Sequence, residues 1–160
     1  MDRNLFSAPV QTVLARLPVM GLRIGQPHRA ARAMIEVACA ELPLPCQAGL
    51  WLAFDFFEES HAISQALHTP EGSAWHAILH RREPDAFNSK YWWRRVGSHP
   101  VLEQLRQQTP ALGYCYTTPE AFVEWCERVR ESGSSDEQLA QEVQRREWEL
   151  FFAWSARQNQ

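Results

Sequence analysis

Along most of this chain apolar residues recur at intervals of three and four, and no segment alternates as a half-buried strand would. The clearest stripe is Phe122, Trp125, Cys126 and Val129, behind a Thr118-Pro119 start whose proline sits where a missing N–H costs nothing. "SGSS" separates it from a last helix, with Ser135 and Gln138 spaced as a capping box and Leu139, Val143, Leu150, Phe151 and Trp154 inward. Earlier in the chain, one or two helices interrupted at Pro18 and Pro27 are predicted. "HRAARAMIEVACAEL" then runs to a stop in the "PLP" at 43–45. A long helix is predicted over about 47–67, and another from Thr69-Pro70 to near Arg82, because the residue before Pro84 is pushed out of helical geometry. Asn88 and Gly97 are expected to bound a short helix, and Pro100 to open one that ends before Pro110. No repeat or linker divides residues 1–160. The expected fold is all-α: one compact helical bundle of about six to eight helices, with no substantial sheet.

Composition sharpens this picture in a few places. A hydrophobic content of 45% suits a packed domain and excludes a disordered chain. A net charge of -3 gives no general attraction to nucleic acid or anionic membranes, and neither partner is expected. The longest apolar run, Ala48 to Phe54, is far short of the roughly 18 to 20 residues that span a bilayer. With an acid at position 2 and no apolar leader, a cytoplasmic location is expected. None of the four cysteines forms a C-x-x-C pair, and Cys39 and Cys126 fall on core positions. The basic residues comprise fifteen arginines and the single Lys90, a bias that weakens arginine as evidence for an anion site.

The unusual stretch is "WHAILHRREPDAFNSKYWWRRVGSHP", residues 75–100, with three histidines, five basic and two acidic residues and three tryptophans. His76 and His80, four apart, share a helix side, and Glu83 falls on it if the helix continues that far. On the predicted 47–67 helix, Leu50, Trp51, Phe54 and Phe57 share a face with Glu58, His61, Gln65 and His68. That face turns from hydrocarbon to Glu-x-x-His, and buried groups of this kind need partners. The expectation is that the two helices enclose a polar pocket.

Three readings follow. In the first, the pocket binds a small anionic phosphate or carboxylate compound. His61, His76, His80 and Glu83 would supply acid–base chemistry, while Arg81, Asp85, Asn88, Lys90, Tyr91, Arg95 and His99 would grip the ligand. Arg82 and Arg94 are further cations in reach. In the second, Glu58, His61, His76 and His80 hold a divalent metal, although neither a second Glu-x-x-His nor H-E-x-x-H occurs. In the third, the network only locks helices together in a non-enzymatic interaction or scaffold domain. The sequence fixes no oligomeric state.

The string "HRREPDAFNSKYWWRRVGSHP", with "GSAWHAIL" and "FDFFEESHAISQAL" before it, resembles a family of small bacterial and fungal proteins. The likeness spans about residues 48–103. It implies that Glu59, His61, Trp75, His76, His80, Arg81, Glu83, Asp85, Asn88, Tyr91, Trp92, Arg95, Gly97, His99 and Pro100 belong to a shared motif. Trp93 departs from it, standing where a phenylalanine is expected. No activity comes with the resemblance.

Overall fold

A computed structural model describes residues 5–157; the acid at position 2 lies outside them. Nine α-helices and two short 3-10 turns make up the described chain, without a strand among the described residues. In order they are α1 (Ala8–Ala15), α2 (Arg32–Cys39), α3 (Leu44–Ala53), α4 (Phe57–Ala66), α5 (Pro70–Arg82), α6 (Ala86–Val96), α7 (Pro100–Gln108), α8 (Pro119–Val129) and α9 (Ser135–Arg157). The 3-10 turns, Arg29–Ala31 and Thr109–Leu112, precede α2 and follow α7.

The all-α expectation holds, and its main revision explains the site. The predicted 47–67 helix is two helices, α3 and α4, broken at Phe54, Asp55 and Phe56. Asp55 has φ +62°, a left-handed backbone that an ordinary helix does not continue through. Its carboxylate accepts a 2.6 Å hydrogen bond from Nη2 of Arg82, which also donates from Nη1 to the Leu52 carbonyl and from Nε to that of Gly21, both at 2.8 Å. The break therefore belongs to a tertiary network around one buried arginine. A single helical wheel cannot be carried across it.

α5 sits at the centre, packed against α3, α4, α6 and α9. Every residue from Gly72 to Arg82 is buried, although the segment includes glycine, serine, two histidines and two arginines. Such a helix needs a partner for each polar group, and neighbours that approach closely. Gly49 on α3 permits one approach: a Cβ there would lie 2.7 Å from the Trp75 indole. The Gly49 carbonyl accepts a 2.7 Å hydrogen bond from Nε1 of Trp148, which stacks on Phe152 at 4.7 Å.

Thr69 and Thr118 cap α5 and α8 by accepting the Gly72 and Ala121 amides at 3.1 Å. Two expected caps move. Asp85, not Asn88, caps α6, since its Oδ1 accepts the Asn88 amide at 3.0 Å. Ser134 rather than Ser135 caps α9, accepting the Glu137 amide at 3.2 Å. In each case the neighbouring side chain reaches the first free N–H. Gly97 closes α6 with φ +64°, as its position predicts.

Candidate functional site

α4 and α5 run side by side, and their contact brings His61 from α4 against His76 and His80 of α5. Ring centroids are 4.7 Å apart for His61–His76, 4.7 Å for His76–His80 and 5.9 Å for His61–His80. Each ring offers a nitrogen within 4.8 Å of the other two. His76 and His80 are buried, whereas His61 is partly exposed. Trp92 packs on His76 at 4.2 Å and Phe57 stacks on His61 at 5.6 Å, so aromatic walls flank the cluster.

Hydrogen bonds engage Nδ1 of each of the two α5 histidines. The Ser64 hydroxyl lies 3.2 Å from Nδ1 of His76 and 3.3 Å from the His61 carbonyl, its one proton serving one of the two. Nδ1–H of His80 donates to Oε2 of Glu83 at 2.9 Å. Nδ1 of both rings is thus occupied, and no hydrogen bond from a described residue reaches Nε2 of either. Burial, reinforced by the neighbouring His80 and His61, pushes His76 down to about 3, so it is neutral at physiological pH. Glu83 and Asp85 join His80 in a second close group, their nearest donor atoms again within 4.8 Å. The Asn88 amide, its strongest influence, holds the Asp85 carboxyl below its ordinary range.

Other expected site residues are engaged elsewhere. Arg81, expected to grip a ligand, is fully buried and turned to α9, with Nη2 2.5 Å from Oε2 of Glu147 and 3.3 Å from Oε1 of Gln144. Its guanidinium lies 4.6 Å from the Phe122 ring centre. Although burial opposes its charge, Glu147 holds Arg81 above its ordinary pKa. Lys90 reaches across to Glu124 on α8 at 2.7 Å. His99 caps α7 by accepting the Val101 amide on Nδ1, which leaves Nε2–H to donate to Glu71 at 3.3 Å. Tyr91 and Arg95 are exposed; Arg95 lies over Trp92 at 5.2 Å. Asn88 is spent on Asp85, donating from Nδ2 to Oδ2 at 2.7 Å. Glu58 is exposed in the first turn of α4, where a carboxylate stays hydrated and suits the helix N-terminus, and it belongs to neither close group.

Several contributors were missed by sequence reasoning, among them Ser64, Asp55 and Glu147. Ser64 sits three residues after His61 and shares its helix side. Glu147 lies four residues after Val143 and four before Phe151, inside an otherwise apolar stripe, and that anomaly was a readable sign of a buried cation partner. Asp55, an acid within "LAFDFF", carried the same kind of signal. Compared with known proteins, the chain matches no family model, no curated protein and no solved structure.

Proposed function

We propose that this protein binds a divalent transition-metal ion through His61, His76 and His80. The observation that carries the reading is the convergence of three imidazoles, each with a nitrogen within 4.8 Å of the other two, while Nδ1 of His76 and His80 is engaged by Ser64 and Glu83. Metal-binding histidines commonly have the opposite nitrogen fixed in this way, often by a carboxylate. Neutral imidazole suits zinc, copper, iron or nickel, whereas calcium and magnesium prefer oxygen. A metal with nitrogens at about 2.0–2.1 Å holds them roughly 3.4 Å apart, so the rings draw together modestly on binding. The partly exposed His61 is the ring with most room to move.

The small-anion reading has less behind it. Arg81 and Arg82 are committed to Glu147 and Asp55, and Lys90 to Glu124. The scaffold reading fits those ion pairs well but gives no use to the histidine lone pairs.

The test is titration of chelator-treated protein with cobalt(II), zinc(II) and nickel(II), followed by visible spectra and isothermal calorimetry. One ion per chain is expected, with cobalt bands typical of nitrogen ligation. His61→Gln, at the solvent side of the cluster, should weaken binding at least tenfold while the far-ultraviolet dichroism stays unchanged. Absence of saturable binding by all three metals, or full affinity in His61→Gln, overturns the proposal.

A further inference from the structure

If the three histidines hold a metal, the chemistry of the site depends on what completes its coordination. Structural zinc sites are closed by four protein ligands; sites with three keep a position for water or substrate. Among the described residues, the close group containing His61 and His76 has no fourth histidine, cysteine or carboxylate. Glu83 and Asp85 connect only through His80, and Glu83 spends Oε2 on Nδ1 of that ring. The cluster has a solvent side, where His61 is partly exposed and the Glu83 side chain is 45% exposed.

Charge then narrows the ligand. Three neutral imidazoles leave the ion's two positive charges intact, and the nearby carboxylates of Glu83 and Asp85 offset them. Neither carboxylate is paired with a lysine or arginine among the described residues; the only ion pair of Glu83 is with His80, and Asp85 is spent on Asn88. Arg95, the cation closest in the stack, lies over Trp92, itself packed on His76. An incoming anion thus meets a metal whose two positive charges Glu83 and Asp85 already offset, and it gains little from the ion's charge. A neutral nitrogen or oxygen donor meets no such penalty.

Resting on the three-histidine reading, we propose that the bound metal keeps an exchangeable fourth position that selects small neutral donor molecules over anions. The natural ligand class is an uncharged amine, imidazole, amide or carbonyl compound. The flanking aromatic rings of Phe57 and Trp92 favour one with an apolar body.

The experiment uses the full-length cobalt-loaded protein at low ionic strength, where charges near the surface are least screened. Imidazole at a pH above its own protonation, azide and phosphate are titrated in turn, with the visible spectrum as readout. Imidazole should perturb the bands at a concentration at least tenfold below azide or phosphate. Glu83→Gln, which keeps a hydrogen-bond acceptor for His80 but loses the charge, should raise the affinity for azide relative to imidazole roughly three- to tenfold, both read on the same cobalt-loaded variant. The inference is overturned by a spectrum insensitive to every ligand, by anions binding as well as imidazole, or by an azide-to-imidazole affinity ratio unaffected by Glu83→Gln. A change of the ligand-free spectrum in Glu83→Gln to a different coordination number also overturns it, since Glu83 would then be the fourth ligand. Failure to form the cobalt protein at all strikes the metal-binding proposal instead, so the two remain separable.

Discussion

Replacing Glu147 by glutamine isolates the energetic centre of the fold. Glu147 and Arg81 are both wholly excluded from solvent and joined at 2.5 Å, and Tyr116 points its hydroxyl at the same carboxylate from 3.5 Å. Nε of Arg81 has no hydrogen-bond partner at all, so the guanidinium depends on Glu147 for its compensating charge. Glutamine preserves the shape and removes that charge, leaving a buried cation facing only neutral groups. Breaking a buried pair from one side typically costs about 3–5 kcal/mol, most of it the desolvation of the stranded charge. For a domain of this size that corresponds to a fall in Tm of roughly 6–20 °C. Urea denaturation at constant m-value measures it directly. The double variant Arg81→Met with Glu147→Leu removes both charges, and it should lie within about 1–2 kcal/mol of the parent because apolar packing replaces the pair. A Glu147→Gln loss below about 1 kcal/mol would refute the reasoning, as would a double variant no more stable than the single.

Other outcomes follow from the same contacts. Gly49→Ala forces a methyl group against Trp75 at 2.7 Å and should cost about 1–3 kcal/mol by thermal or urea melting; an unchanged midpoint would show that the indole shifts freely. Thr69→Ala removes the cap on the Gly72 amide and should destabilise by about 0.5–2 kcal/mol, with urea melts of the parent as reference. For metal-stripped protein the acid dependence has a definite sign. His76 is held down to about 3 against 6.5 in the unfolded chain, so between those values the unfolded state binds a proton that the folded state refuses. Stability should therefore fall as pH drops from 6.5 toward 3, His76 contributing up to about 1.4 kcal/mol per pH unit. His76→Gln should flatten that slope in urea melts run across the interval; an equally steep profile would remove His76 as its source.

The sequence by itself determined the helical class and many of the helix boundaries. These depend on local physics: proline at first turns, threonine caps at 69 and 118, and the 3.6-residue stripe of Phe122, Cys126 and Val129 all act within a few residues of themselves. It also brought three of the expected site residues within reach, because His76 and His80 share one turn and His61 lies on the neighbouring helix. Tertiary structure alone decided the remainder. Whether an arginine in "HRREPD" serves a ligand or the core depends on a carboxylate 66 residues away for Arg81, and on one 27 residues away for Arg82. The break at Asp55 lies where Arg82 bonds the Asp55 carboxylate and the Leu52 carbonyl, and α3, α4, α6 and α9 together bury α5 from Gly72 to Arg82. A helix whose partners lie on all sides has no solvent face for periodicity to report, so its polar residues can be understood only once their neighbours are in place.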